Sequence, residues 1–232
     1  MGEKCIGRAA KMRGLYILGE GPTEEQFVNE ILRSYFSNRG IYDVRCILME
    51  TSPGHKGGDV SYQRFKHNAE NLLKREQDII VTSLVDFFRL NSDFPRYQEG
   101  QQKYQDKIQR VTFLENAISE DIQSPRFIPY IQLHEFEGLL FSSNVGFEYI
   151  PDIPDKNRIQ LQNAVNVHGN PELLNDGALT APSKRLESLI PGYQKTFHGP
   201  LIAEVITIEK ILDRCERFRA WIEVLIHRMN EN

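Results

Sequence analysis

Short apolar runs alternate with longer amphipathic stretches over the first two thirds of the chain. The apolar runs are typical of strands buried on both faces, and they cover residues 15–18, 44–49, 79–84 and 127–133. Between them, apolar residues recur at helical spacing over residues 23–40, 61–76 and 105–120. This alternation predicts an α/β fold of the Rossmann-like type, with a mostly parallel sheet flanked by helices.

The two ends of the chain have a different character from this region. Residues 1–12 show no periodicity and indicate a loose leader, whereas Pro151 and Pro154 mark a linker before a mainly helical stretch. We therefore divide the chain into a leader (1–12), an α/β core (13–150) and a mainly helical C-terminal appendage (151–232). Within the core, residues 53–58 read as a flexible glycine-rich loop and residues 91–104 as a polar, irregular crossing.

An acidic residue follows each of three predicted strands. Glu20 comes after the first run, Asp86 ends the third, and Glu135 follows the fourth. Because ligand sites of parallel sheets lie outside the carboxyl ends of the strands, we expect the three carboxylates to meet at one edge. Glu20 alone is better explained as an acid in a solvated turn before a helix. For Asp86 a ligand role is favoured over a structural role as a helix cap. The coincidence of Glu20 with Asp86 and Glu135 favours a site.

Carboxylates in this arrangement are suited to hold a hard divalent cation. Mg²⁺ prefers oxygen ligands, and two such ions can stabilise the attacking and leaving oxygens of a phosphodiester. We predict Asp86 and Glu135 as metal ligands and Glu20 as a ligand or as the base, with Mg²⁺ or Mn²⁺ as the cofactor. Glu137 shares the ion if the strand continues through it, and diverges if a helix begins there.

Basic residues close to the predicted site are few. Lys56, Lys184, Arg185 and Lys195 are candidate substrate-binding residues, although such charges more often form a solvated face. His134 is more often a hydrogen-bonded structural histidine than a base. The loop around Lys56 lacks the spacing of a phosphate-binding Walker motif.

The composition indicates the cellular compartment of the protein and limits how it can bind nucleic acid. The chain has a net charge of −4, with 40% hydrophobic and 26% charged residues, which excludes a protein that coats nucleic acid by its overall charge. It contains no apolar run long enough to span a bilayer, and its three cysteines lack metal-ligand spacing. These features predict a cytoplasmic protein with reduced thiols and no membrane partner.

Several segments together resemble a known family. Leu18-Gly19-Glu20-Gly21-Pro22-Thr23-Glu24-Glu25 resembles the first motif of toprim domains. Together with Val85-Asp86-Phe87-Phe88, the run 129–137, Ala181-Pro182-Ser183-Lys184-Arg185 and Tyr193-Gln194-Lys195, it resembles small stand-alone toprim-like bacterial proteins. These are related to nucleases of the overcoming-lysogenization-defect type. Toprim domains usually carry Asp-x-Asp after the third strand, whereas Phe87 and Phe88 follow Asp86 here.

The resemblance implies a Mg²⁺-dependent toprim-type nuclease in a bacterial cytoplasm. It also implies an ATPase partner of the AAA or ABC type in defence against phage. We expect DNA as the substrate, with RNA as the close alternative, and the sequence leaves homo-oligomerisation open. The alternative is a non-catalytic regulatory or sensor subunit, weakened by the absent second Asp, that binds a partner ATPase.

Overall fold

The structure is a computed structural model that describes residues 13–52, 55–56, 60–167, 169–174, 177 and 180–231. The predicted leader and most of the glycine-rich loop lie outside the described residues. The strands are β1 (Gly14–Gly19), β2 (Val44–Leu48), β3 (Glu50–Ser52), β4 (His55–Lys56), β5 (Ile79–Asp86), β6 (Phe127–Ile128) and β7 (Ile131–Gln132). The helices are α1 (Pro22–Phe27), α2 (Arg33–Ser37), α3 (Tyr62–Arg75), α4 (Tyr97–Lys103), α5 (Lys107–Ile122), α6 (Val145–Glu148), α7 (Asp155–Val167), α8 (Pro182–Leu189), α9 (Lys195–Ile206), α10 (Ile208–Arg214) and α11 (Glu216–Asn230).

The main sheet is parallel throughout the described residues. Its order is β2-β1-β5-β6, and β7 also pairs with β5, farther along that strand. Since β2 and β5 lie on opposite sides of β1, the winding direction reverses at β1 and leaves a crevice at the carboxyl ends of β1 and β5. The predicted mostly parallel α/β fold is confirmed. A separate ribbon pairs β3 with β4 in antiparallel register.

Helices cover both faces of the sheet. Along β1, Leu15 and Ile17 belong to one core, while Tyr16 and Leu18 belong to the other. This alternation follows from the two-residue repeat of a strand, and it explains why the run is continuously apolar. The core that contains Leu15 and Ile17 also holds side chains of α1 and of the C-terminal helices. The core that contains Tyr16 and Leu18 holds side chains of α3 and α5.

The predicted fourth strand, 127–133, is divided into β6 and β7. Pro129 has no backbone N–H to donate, so the ladder is interrupted there. The side chain of Ser83 takes over the hydrogen bonds that a backbone ladder would make at Tyr130. Its hydroxyl donates to the carbonyl of Tyr130 and accepts from the Tyr130 N–H, both at 2.9 Å.

A partly buried ion pair covers the outer side of β7. Glu115 accepts a hydrogen bond from the N–H of Ile131 at 2.8 Å, and Arg217 donates to the carbonyl of Ile131 at 3.0 Å. Arg217 also contacts the same Glu115 oxygen at 2.7 Å. The two side chains therefore satisfy the backbone groups that a further strand would otherwise bind.

The segment 91–104, predicted to be irregular, contains the short helix α4. Gly100 permits this helix to approach α5 closely, since a Cβ at that position would lie 3.3 Å from the ring of Phe113. The prediction was wrong because the stretch is polar and lacks an apolar period. Contact with α5 stabilises the helix instead.

From α7 onward the described residues of the C-terminal region are mainly helical, and they pack directly on the sheet. The indole N–H of Trp221 donates to the Thr82 hydroxyl at 2.8 Å, and the Trp221 ring stacks on Tyr130 with centroids 4.4 Å apart. Side chains of α9, α10 and α11 share one core cluster with β1 and α1. The domain boundary at residue 151 stays a prediction. In the part of the chain described, no helix is long and apolar enough to cross a bilayer.

Candidate functional site

Glu20 and Asp86 meet at the crevice between β1 and β5. Glu20 directly follows β1, and Asp86 is the last residue of β5. The backbone N–H of Asp86 donates to Oε1 of Glu20 at 3.2 Å. The two strand-end acids are therefore brought together as the parallel sheet requires.

Glu135 reaches the same region through a sharp turn at His134. His134 is buried and has a left-handed backbone with φ 69°, a conformation that costs a non-glycine residue about 1–3 kcal/mol. Two hydrogen bonds hold the turn: the Phe88 N–H donates to the His134 carbonyl, and the Phe136 N–H donates to Oδ1 of Asp86, both at 2.9 Å. The segment after β7 is thus tied to the end of β5.

The start of α8 lies against Glu135. The backbone N–H of Ser183 donates to Oε2 of Glu135 at 3.0 Å, which places Ser183 and its two basic neighbours at the site. Their charged groups are engaged locally, because Lys184 pairs with Glu187 at 2.6 Å and the Arg185 Nε donates to a backbone carbonyl at 2.9 Å. Binding of substrate by these two residues remains a prediction.

Glu137 is completely buried and paired with Lys195. A short 3-10 helix, Phe136–Ser142, contains it, so Glu137 does not continue the strand. The Nζ atom of Lys195 lies 3.0 Å from Oε1 of Glu137 in an ion pair. Apart from this ion pair, neither oxygen of Glu137 has a hydrogen-bond partner within the described residues. Burial raises the pKa of Glu137, and the positive charge of Lys195 opposes that rise.

Asp86 lies at the centre of the electrostatics of the site. Burial raises its pKa well above the ordinary value of 3.8, and the charges of Glu20 and Glu24 raise it further. Lys195 acts in the opposite direction. For Lys195 itself, burial disfavours the charged form, but Glu137, Asp86 and Glu24 together raise its pKa above the ordinary value.

Glu24 and Tyr193 belong to the site but were not among the predicted site residues. Glu24 lies in the first turn of α1 and is only 4% exposed. The signal was its position four residues after Glu20, but its burial depends on α9, which packs against α1. The buried hydroxyl of Tyr193 has no hydrogen-bond partner among the described residues, and burial together with Glu137 raises its pKa.

Two predicted features remain outside this geometry. Lys56 belongs to β4, but its side chain lies outside what the structure describes. After Asp86, Phe87 packs near Tyr97 with ring centroids 6.4 Å apart, and Phe88, at the second Asp position of an Asp-x-Asp pattern, is 44% exposed. Neither residue can ligate a metal.

The donor set fits a hard divalent cation by its chemistry. It consists of carboxylate oxygens, and Glu20, Asp86 and Glu135 each have one oxygen oriented by a backbone N–H. The buried carboxylate of Glu137 is a further candidate ligand, since neither of its oxygens has a hydrogen-bond partner among the described residues. Within those same residues, no three acidic, histidine or cysteine side chains are drawn together as a metal-ligand group. The predicted metal-ligand and catalytic roles stay predictions.

Comparisons with known proteins agree with the fold. Residues 19–226 match the family described as "Domain of unknown function (DUF4276)". No curated protein matches the chain. Among solved structures, it is similar to the C-terminal region of the Burkholderia pseudomallei OLD protein, with 14% identity and a TM-score of 0.52. The similarity covers 94% of this chain and 100% of that one. It supports the resemblance to the overcoming-lysogenization-defect type at the level of fold.

Proposed function

We propose a function for this chain, which belongs to the DUF4276 family, from the carboxylates that meet at its sheet edge. The proposal is a Mg²⁺- or Mn²⁺-dependent nuclease of the toprim type that cleaves phosphodiester bonds. The observation that carries it is the contact between acidic segments at the ends of separate strands: the Asp86 N–H donates to Oε1 of Glu20 at 3.2 Å, and the Phe136 N–H, next to Glu135, donates to Oδ1 of Asp86 at 2.9 Å. Burial and two neighbouring acids also raise the pKa of Asp86.

Acids placed in this way are costly unless a cation compensates them. Glu24, Asp86, Glu135 and Glu137 are all buried, and Lys195 is the cation that the structure pairs with Glu137. Buried like charges repel one another and lose hydration, so a fold that needed only stability would favour neutral residues here. Perturbed acids in a crevice at the carboxyl ends of strands are instead typical of a functional site.

Each residue of the site has a proposed role. Asp86 and Glu135 hold the metal ion, Glu137 and Glu24 are further candidate ligands, and Glu20 is either a ligand or the base that accepts a proton from water. When bound, the ion supplies Lewis-acid stabilisation of negative charge on the phosphate. The backbone N–H groups of Asp86, Phe136 and Ser183 keep the carboxylates in position.

DNA is the proposed substrate, and RNA is the close alternative. With a net charge of −4, the chain has no long-range attraction for nucleic acid, so binding depends on the loaded metal site and on local basic residues. The sequence resemblance also favours an ATPase partner of the AAA or ABC type and a role in bacterial defence against phage.

A second candidate function is a non-catalytic sensor subunit that binds such an ATPase. The observation in its favour is Phe88, which stands two residues after Asp86, where the Asp-x-Asp pattern that toprim domains usually carry has its second Asp. A site with one acid fewer has weaker metal affinity. The fold would then serve for binding alone.

A cleavage assay separates the two functions. Supercoiled plasmid, single-stranded DNA and RNA are incubated with the protein in Mg²⁺, in Mn²⁺ or in EDTA. We expect metal-dependent cleavage of at least one substrate, and we expect Asp86→Asn to lose it. The matched control is Asp213→Asn, since Asp213 is a surface acid paired with Lys210 at 3.6 Å, and it should cleave like the wild type.

The contrary result is equally informative. If no substrate is cleaved with either metal, also after addition of a co-encoded ATPase, the nuclease function is wrong. Binding of that ATPase by both the wild type and Asp86→Asn would then support the sensor subunit.

A further inference from the structure

We propose that the exposed ring of Phe88 is a stacking platform for an unpaired nucleobase, and that the site therefore acts on single-stranded nucleic acid. The proposal rests on the nuclease function above and specifies its substrate class. Every nucleobase has a flat π face that can stack on an aromatic side chain, so the contact does not depend on sequence. In a duplex these faces are covered by the neighbouring base pairs, and only an unpaired base can offer one.

The backbone of Phe88 is fixed beside the acids of the site. Phe88 lies two residues after Asp86, in the 3-10 helix Phe87–Arg89. Its N–H donates to the carbonyl of His134 at 2.9 Å, and His134 immediately precedes Glu135. Phe88 is thus held between two segments that each carry a proposed metal ligand. A nucleotide whose base stacks on the ring has its phosphate close to these carboxylates.

The ring of Phe88 is not part of the packed interior. It is 44% exposed and belongs to neither hydrophobic core, whereas the preceding Phe87 packs against one of them. All thirteen phenylalanines of the chain are described, and only Phe88 and Phe197 are exposed. Phe197 packs edge-to-face on His198 with centroids 5.0 Å apart. A single exposed apolar ring is common on protein surfaces, and it is the place of Phe88 beside the carboxylates that gives it a role.

Stacking supplies affinity that the charges around the site do not. The chain has a net charge of −4, and the basic residues at the start of α8 are engaged locally, Lys184 by Glu187 and the Arg185 Nε by a backbone carbonyl. At the position of Phe88 an Asp-x-Asp pattern has a second carboxylate, which repels phosphate unless a cation compensates it. The phenyl ring removes that charge and offers an apolar face in its place.

Oligonucleotide binding tests the proposal without any cleavage. Labelled single-stranded DNA, single-stranded RNA and duplex DNA of the same sequence are titrated with the full chain by fluorescence anisotropy, with Ca²⁺ in place of Mg²⁺. We expect both single strands to bind more tightly than the duplex. Phe88→Ala and Phe88→Leu should weaken single-strand binding roughly 5- to 100-fold, because neither side chain has a π face, and should leave duplex binding unchanged.

The matched control is Tyr42→Ala. Tyr42 is 60% exposed and precedes β2, so it lies at the amino end of the parallel sheet, away from the carboxylates. Its replacement removes an exposed aromatic ring of similar size. We expect this variant to bind all three nucleic acids like the wild type.

Phe88→Trp gives a direct signal of stacking. Trp221 is the one tryptophan of the chain, and it is 4% exposed, so a base cannot stack on it. Phe88→Trp should retain the affinity for single strands, and the fluorescence of its new indole should be quenched by a saturating single strand but not by the duplex.

The possible results separate this proposal from the proposed function. Unweakened single-strand binding by Phe88→Ala or Phe88→Leu, or an unquenched Phe88→Trp, would overturn the stacking platform, and metal-dependent cleavage would leave the nuclease function standing. A Phe88→Ala protein that loses only a co-encoded ATPase would overturn the platform and make the ring a protein interface. If the wild type binds none of the three nucleic acids, this proposal fails, and the proposed function fails with it only if the cleavage assay is also negative.

Discussion

Replacing Asp86 by Asn should stabilise the metal-free protein at neutral pH. The pKa of Asp86 is raised by burial, by Glu20 and by Glu24. The native state therefore keeps a proton that the unfolded chain releases. As a result, the stability of the wild type falls as the pH rises from about 4 through the raised pKa. Asn does not ionise and escapes this loss, while its Oδ1 can still accept the hydrogen bond from Phe136.

The size of the effect follows from the charges removed. Asn ends the repulsion between Asp86 and the two glutamates, but it also ends the attraction to Lys195, so the net gain is moderate. Single stabilising substitutions commonly yield about 0.5–2 kcal/mol. For a chain of this length, each kcal/mol shifts the melting temperature by roughly 2–4 °C. We therefore expect a rise of about 1–8 °C at pH 7.5 in EDTA.

Calorimetry at several pH values measures this difference. The advantage of Asp86→Asn should be largest at pH 7.5 and should shrink toward pH 4, where the wild-type carboxyl is neutral in the native state. Asp86→Ala is the comparison variant, because it leaves the Phe136 N–H without its acceptor, a loss of about 1–3 kcal/mol. An Asp86→Asn protein that is less stable than the wild type at every pH would refute the reasoning.

Further expectations concern metal, substrate and core. Saturating Mg²⁺ or Mn²⁺ at a hundred times Kd should stabilise the wild type by about 2.7 kcal/mol; an equal rise in the melting temperature of Asp86→Ala would count against the site. Lys184→Ala combined with Arg185→Ala should weaken DNA binding and lower its salt dependence in titrations, without changing metal-induced stabilisation. If that variant cleaves normally but no longer binds a co-encoded ATPase, the two residues form a protein interface. Trp221→Phe removes the donor to Thr82 and should cost about 1–3 kcal/mol in urea unfolding, and an unchanged midpoint would contradict that contact.

The sheet and its strand-end acids could be predicted from the sequence. A continuous apolar run predicts a strand covered on both faces, and parallel strands necessarily end at the same edge. The meeting of Glu20 with Asp86 follows from these two facts. The break between β6 and β7 was also foreseeable in part, since Pro129 cannot donate to a ladder.

The contacts made by the C-terminal helices could not be predicted in this way. Lys195 reaches Glu137 and Ser183 reaches Glu135 only after the chain has folded back over the sheet. Periodicity describes each helix by itself and contains no information on which distant carboxylate its first turn will contact. The burial of Glu24 depends on the same packing.

The ion pair that covers β7 has a consequence for the behaviour of the molecule in a crowded solution. An open border of a sheet is a template on which a strand of another molecule can grow, and such growth leads to aggregates. At Ile131 the template is already occupied, because Glu115 and Arg217 bind the backbone groups that a foreign strand would use. The protein thereby keeps the backbone of the buried strand β7 from pairing with a strand of another molecule.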